Sequence, residues 1–184
     1  MAWTPWNSFT SRHPLLMRVG AGGLVLLYLL AAPLSPALAW HAYVVKVLDG
    51  DSLRVKKGNR ILEIRLYGID APEYGQSYGE QAKRFTRRLT YKKTVSLTSK
   101  DMDRYGRIVA LVKSDGRLVS RELVREGLAW VYPKYCLEQP LCSSLKRLEY
   151  KARRARRGLW KAKNPVSPWK WKQRERSRGQ NGRR

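Results

Sequence analysis

The chain has 184 residues, a length suited to one compact domain with tails, and its 38 Lys and Arg outweigh 14 Asp and Glu to leave a formal net charge of +24. Such an excess says nothing of the fold; it reads either as a heavily solvated basic surface or as the mark of a polyanionic partner, nucleic acid or an anionic membrane surface. Two histidines, His13 and His41, leave little room for chemistry that needs imidazole as base, nucleophile or metal ligand.

Residues 1–39 read as an address label. Arg12 and Arg18 precede an apolar run over residues 20–32, Pro33, Ser35 and Pro36 break it, and Ala37-Leu38-Ala39 has the small-x-small cleavage pattern. This predicts a secretory signal peptide cut after Ala39, with the protein exported to a periplasm or the extracellular space. An uncleaved anchor is the alternative, but the run falls short of the 18 or so apolar residues of a spanning helix. Cleavage would remove two Arg and no acid, so the charge becomes 24 − 2 = +22.

From Tyr43 the pattern is that of short strands. Leu62, Ile64 and Leu66 point one way and Glu63, Arg65 and Tyr67 the other, with turn signals at Asp49-Gly50 and Gly58-Asn59. A three-strand meander follows. Ser77 and Glu80 have capping-box spacing at the start of a helix, with Ala82, Phe85 and Leu89 as its buried stripe and Lys83, Arg84, Arg87 and Arg88 on its outer face. "TVSLTS" and "RIVALVK" read as two more strands. Ser120 is placed to cap a short helix ending at Gly127, with Leu123 and Val124 inward. A last helix is expected from about Ser143 to Gly158, its stripe made of Leu145, Leu148, Ala152 and Ala155.

Cys136 and Cys142 in "CLEQPLC" are the only cysteines. In an exported chain they read as a small-loop disulfide, free thiols being the alternative; tetrahedral zinc would want more ligands than these and His41 supply. Residues 164–184 carry seven Lys or Arg and one Glu with two Pro, a composition read as a disordered basic tail. The predicted organisation is a signal over 1–39, one domain over 40–160 and a tail over 161–184. The fold class is α+β, mainly β: a five-stranded OB-type barrel with about three packed helices, a fold that commonly binds nucleic acid on one face.

Within this basic chain Asp49, Asp51, Asp70 and Glu73 fall inside 25 residues. Several acids together can hold a hard cation through oxygen ligands. Each segment also has a plain reading: an Asp-Gly turn for Asp49 to Asp51, a cross-strand ion pair for Arg65, a turn for Asp70 to Glu73 and a turn arginine for Arg107. An EF-hand is ruled out, because Leu53, Arg54 and Arg60 stand at loop positions 5, 6 and 12 counted from Asp49. Taken together the segments can serve phosphodiester hydrolysis. A cation held by Asp51 and Asp70 would bind the phosphate, Arg65 and Arg107 would hydrogen-bond its oxygens, and Glu73 would orient or deprotonate water.

The order and spacing of "VLDGDSLRV", "IRLYGIDAPE", "YGEQAKRF", "DRYGRIVALV" and "LVREGLAWVY" resemble the staphylococcal nuclease family. The resemblance implies an OB barrel with packed helices and a calcium-dependent endonuclease that cuts DNA and RNA to leave 3′-phosphate ends. It implies calcium ligands at Asp51, Asp70 and the Ala71 carbonyl, with Asp49 supporting them. Glu73 matches the general base and Arg65 and Arg107 the catalytic arginines. Arg104 and Tyr105 match positions that hold a nucleotide phosphate, and Tyr132 or Tyr135 would line the base region. Ser52 and Ala71 stand where the prototype has threonine, and the segment between Glu73 and Ser77 is shorter.

Two rival readings remain at this level. One is a non-catalytic basic nucleic-acid-binding OB module, in which acids on a phosphate-facing surface would only repel the ligand. The other is a membrane-associated protein using Trp169, Trp171 and the basic tail. The expected partners are DNA and RNA substrates, with no stable protein partner, no membrane association after signal cleavage, and a monomeric state.

Overall fold

A computed structural model describes residues 38–181 of the chain. The expected signal peptide, residues 1–39, lies outside the described residues but for its last two. Among the described residues no helix is long and apolar enough to cross a membrane.

The predicted meander is present as β1 (Trp40–Val47), β2 (Ser52–Lys57) and β3 (Arg60–Leu66). Gly58, at φ +58°, supplies the left-handed residue that the β2–β3 hairpin turn requires. The register places Leu53 opposite Ile64 and Ser52 opposite Arg65. β1 also pairs with β5 (Thr94–Met102), which pairs with β6 (Ile108–Ser114). β6 then runs parallel to β3, Ile64 opposite Ile108 and Leu66 opposite Ala110, and closes five strands into a mixed barrel. Register shifts at Val44/Lys46 and Ser99/Asp101 mark bulges, which bend strands enough to close so small a barrel.

Alternation does what it predicts on the inner face. Val44, Leu53, Val55, Ile64, Leu66, Val95, Leu97 and Val112 are buried there. A two-stranded ladder of β4 (Ile69–Asp70) and β8 (Trp130–Val131) lies beside the barrel. β7 (Arg117–Leu118) extends the edge at β6.

Among the described residues four α-helices surround the strands: α1 (Gly79–Thr90), α2 (Val119–Arg125), α3 (Leu141–Arg154) and α4 (Pro168–Asn181). The expected capping box on α1 does not form. The helix starts at Gly79 behind Tyr78, which sits at φ +67° with no side-chain cap. Gly79 donates its N–H to the Gln76 carbonyl at 2.9 Å instead. Its Cα lies so close to the Glu73 carbonyl that a Cβ would overlap it. The tight turn between Glu73 and Gly79 thus replaces the cap.

The buried face of α1 also differs from the apolar stripe. Ala82, Thr86 and Thr90 are fully buried, while Phe85 and Leu89 are half-buried. Both threonines bury their hydroxyls only because these are paired: Thr86 Oγ1 donates to the Gly50 carbonyl at 2.6 Å and Thr90 Oγ1 to the Thr86 carbonyl at 2.8 Å. Ser120 lies inside α2 rather than capping it, with Leu123 and Val124 buried as expected. α3 begins at Leu141 and stops at Arg154, leaving Ala155 exposed. Gly158 opens a separate 3₁₀ turn, Gly158–Lys161.

Residues 168–181 form α4 where composition predicts a disordered basic tail. Trp169 and Trp171, which the membrane-associated reading would place against lipid, are both half-buried.

The loop between β1 and β2 is pinned by Gly50. A Cβ there would stand 2.6 Å from that of Ala71 and 2.7 Å from that of Ala82. Gly50→Ala is therefore expected to destabilise the fold by about 1–3 kcal/mol through overpacking, measured as a lower urea midpoint at unchanged slope.

Candidate active site

The β1–β2 loop, the end of β3 and β4 bring Asp51, Arg65 and Asp70 together. Asp51 and Asp70 are essentially without solvent exposure, and the Arg65 side chain is 14% exposed. Arg65 faces away from the apolar core, as its parity in β3 demands, but it faces carboxylates and not open water. Nη1 donates to Asp51 Oδ1 and Nη2 to Asp70 Oδ1. Asp51 is held further by the Ala71 N–H, which donates to Oδ2 at 2.6 Å, and by the Ser52 hydroxyl at 3.3 Å. Asp49 Oδ1 accepts the Asp51 N–H at 2.9 Å and so shapes the loop.

Two acids and one base share this pocket, and burial dominates their electrostatics. Burial pushes the Asp51 carboxyl well above the usual carboxylate range; Arg65 opposes this, while Asp49 and Asp70 add to it. For Arg65 burial acts downward, but Asp51 and Asp70 outweigh it and the guanidinium is held still more firmly charged. Taken by themselves these two carboxylates share one guanidinium, so the trio is short of positive charge until Lys172 of α4 is counted.

That shortage bears on a cation. Asp70 Oδ2 is buried and has no hydrogen-bond partner among the described residues, an arrangement that costs free energy unless a ligand or water completes it. No three His, Cys, Asp or Glu side chains converge on a common point among the described residues. A hard cation here would thus draw on Asp51, Asp70 and further oxygens from backbone and water, a donor set that suits calcium. The residues fit such an ion.

Arg107 joins the same cluster from the start of β6. Asp103 fixes it, accepting from Nε at 2.8 Å and pairing with Nη2 at 2.7 Å, while Nη1 donates to Ser52 Oγ at 3.3 Å. Ser52 therefore links Arg107 to Asp51, and through that carboxylate to Arg65. Burial would raise the Asp103 carboxyl, but hydrogen bonds from Arg107 and Tyr105 outweigh it and hold it low, as an ionised partner.

Glu73 stands at the edge of the cluster, one third exposed. Its N–H donates to Gln76 Oε1 at 3.1 Å and its carbonyl accepts the Gln76 N–H at 3.0 Å. The turn is therefore ordered despite its short length. Lys172 of α4 pairs with Glu73 Oε1 at 2.8 Å and with Asp70 Oδ1 at 3.3 Å. Burial acts to lower the Lys172 ammonium, but these two carboxylates prevail and raise it.

Arg104 and Tyr105 lie on the exposed turn before β6 and pair with each other, Nη2 to the phenol oxygen at 2.7 Å. Tyr132 follows β8, stacked on Trp169 with centroids 4.9 Å apart and planes 3° apart, and it meets the edge of Tyr135 at 4.8 Å. Cys136 and Cys142 form the expected disulfide. Its loop is tied to the end of β3 by Tyr67, whose hydroxyl accepts the N–H groups of Leu137 at 3.1 Å and Glu138 at 3.0 Å.

The sequence reading did not include Ser52 as a link, Asp103 as the Arg107 partner, Gln76, Lys172 or Trp169. Asp103 sits at i,i+4 from Arg107, a spacing that could have exposed the pair. Nothing local marks Lys172, which lies 99 residues beyond Glu73 in sequence.

Removing Arg65 leaves two buried carboxylates without their cation. Arg65→Gln is expected to cost about 3–5 kcal/mol at neutral pH. A carboxyl raised in the folded state binds extra protons there, so stability falls as pH rises through that window. The deficit should accordingly shrink as pH falls toward the carboxylate range, read from urea titrations at neutral and acid pH.

The family model described as Staphylococcal nuclease homologue matches residues 63–162. That span contains Arg65, Asp70, Glu73, Arg107 and Tyr132, while Asp49 and Asp51 precede it. An uncharacterized endonuclease of Escherichia coli is 42% identical over 136 residues, covering 73% of this chain and 86% of its own length. A micrococcal nuclease of Shigella flexneri is 36% identical over 146 residues, covering 73% and 83% respectively. Similarity also reaches plants: a probable staphylococcal-like nuclease of Oryza sativa subsp. japonica is 36% identical over 128 residues, covering 70% of this chain and 36% of its own. With more than half of its length matched and its barrel closed in the manner described, the chain belongs to the staphylococcal nuclease homologue family.

Proposed function

We propose that the chain is an exported, calcium-dependent endonuclease that hydrolyses phosphodiester bonds of DNA and RNA and leaves 3′-phosphate ends. The observation that carries this reading is the cluster of Asp51, Asp70, Arg65 and Arg107, with a buried Asp70 oxygen left unpaired beside a one-third-exposed Glu73. Acids set among phosphate-binding arginines make sense when a cation stands between them and the polyanion; for mere binding they are a cost.

Calcium, held by Asp51 and Asp70 with the Ala71 carbonyl, would supply positive charge to the phosphate and to water. The chain's own groups do the rest. Arg107 presents Nη1, whose 3.3 Å contact to Ser52 is the weakest of its bonds, and can turn it to a phosphate oxygen while Asp103 keeps the guanidinium in place. Arg65 has no partner on Nε among the described residues, so it can donate there without releasing Asp51 or Asp70.

Glu73 takes a proton from the attacking water, whose oxygen bonds to phosphorus as the bond to the 5′-oxygen breaks. The 5′-oxygen leaves protonated from solvent, and the phosphate stays on the 3′ side. Positioning and charge stabilisation carry such a reaction without histidine. Tyr135, and Tyr132 where Trp169 does not cover it, would line the base next to the scissile phosphate.

The deciding experiment is cleavage of plasmid and RNA by protein starting at Trp40, with calcium and with excess chelator. Cutting that needs calcium supports the reading, and tight binding without cutting replaces it with the binding-module reading. Glu73→Gln is expected to lower turnover by about 10²–10⁴-fold and Arg107→Ala by about 10²–10³-fold, with unchanged circular dichroism. Rates near wild type from either variant would remove its assigned role. Calcium at a hundred times its Kd should add about 2.7 kcal/mol of stability. It is expected as a rise in Tm that Asp51→Asn abolishes.

A further inference from the structure

The last helix lies against the site and contributes no group that the proposed reaction needs. Trp169, Lys172 and Arg176 are spaced i, i+3 and i+7, which places them on one face of α4. Trp169 covers the face of Tyr132 at 4.9 Å. Lys172 Nζ lies between Glu73 Oε1 and Asp70 Oδ1, at 2.8 and 3.3 Å. Arg176 lies near enough to Tyr105 for its charge to act on that hydroxyl. One helical face therefore meets the base platform, the acidic pair and the phosphate-binding turn.

The approach to this helix is also fixed. Gln76, whose side chain orders the Glu73 turn, donates Nε2 to the Val166 carbonyl at 2.7 Å. Ser167 is buried, and its carbonyl accepts the Trp171 N–H at 2.9 Å. Trp169 additionally meets Trp130 edge-on at 5.7 Å. Beyond these aromatic contacts α4 is polar: Lys170, Lys172, Arg174, Arg176 and Arg178 face one acid, Glu175. Such a helix is held on the site by Trp169 together with the Lys172 contacts, and the charged contacts are what a dication or a polynucleotide would contest.

We propose that α4 is a displaceable cover of the active site, in which the Lys172 ammonium occupies Asp70 and Glu73 in competition with the divalent cation and Trp169 shields Tyr132 from a nucleobase. This rests on the calcium reading given above for the same carboxylates. An ammonium on Asp70 and a dication on Asp70 cannot both be accommodated at full strength, so each weakens the other by the same factor. A polynucleotide adds a second pull, since its phosphates attract the basic helix off the acids and onto the substrate. The helix then changes from a cover into part of the substrate grip. Free enzyme is held back until both cation and polyanion are at hand.

The test compares Lys172→Ala with wild type and with Lys170→Ala, an exposed position outside these contacts, in the purified full chain. Calcium affinity by titration calorimetry is expected to rise about two- to five-fold in Lys172→Ala, the scale of a partly exposed ion pair, and to stay at the wild-type value in Lys170→Ala. Amide hydrogen exchange over residues 169–181 is expected to quicken in Lys172→Ala without metal, and in wild type on adding calcium. Equal calcium affinity in wild type and Lys172→Ala overturns the competition, and unchanged exchange in Lys172→Ala overturns the cover itself. If no protein binds calcium, the calcium reading and the competition both fall, while the metal-free exchange still decides whether Lys172 holds the helix down.

Discussion

The site is organised by one buried guanidinium placed between two buried carboxylates. Arg65, Asp51 and Asp70 come from a strand, a loop and a short ladder strand, and none of the three is tolerable at its depth without the others. An isolated buried carboxylate would be expelled or protonated, and so would two carboxylates together. Arg65 permits their burial but leaves Asp70 Oδ2 unpaired among the described residues, and the second positive charge at Asp70 comes from Lys172 of a separate helix. The pocket is stable enough to exist and unsatisfied enough to take a cation. Those two properties come from the same stoichiometry.

Close packing around the charged group keeps it from relaxing. Gly50, Ala71 and Ala82 meet with no room for another methyl, and Thr86 ties the Gly50 carbonyl to α1. Small residues here let the loop carrying Asp51 lie directly against the strand carrying Asp70. Larger side chains would separate the carboxylates and leave Arg65 able to serve only one. The tight turn from Glu73 to Gly79 acts likewise, bringing the carboxylate of Glu73 to the edge of the same pocket through backbone bonds with Gln76.

Much of this was legible because it depends on local pattern. Period-two burial in β3 places Arg65 on the face opposite Ile64 and Leu66, and that inference survives in the fold. The clustering of Asp49, Asp51, Asp70 and Glu73 was visible as scarcity: few acids, close together. Less legible were the features set by tertiary contact. Ser77 and Glu80 have the spacing of a cap, yet the approach of Gly79 to the Glu73 carbonyl decides where α1 begins. Thr86 and Thr90 look like surface residues until their hydroxyls find carbonyls. The helical state of residues 168–181 was hidden by composition, because its docking depends on Trp169 finding Tyr132 and Lys172 finding Glu73.

The parallel pairing of β3 with β6 fixes a length scale. Arg65 stands opposite Val109 across that ladder, with Arg107 two residues before it, so the backbones that carry the two arginines are set by the hydrogen-bonded spacing of neighbouring strands, about 4.8 Å, and a short step along them. Such a gauge is independent of the loops. Insertions at the hairpin tips or in the disulfide segment can alter what reaches the pocket without altering the strand pairing that sets Arg65 and Arg107 side by side. Change confined to those segments can thus reshape the approach to the pocket while the strand spacing beneath Arg65 and Arg107 stays constant.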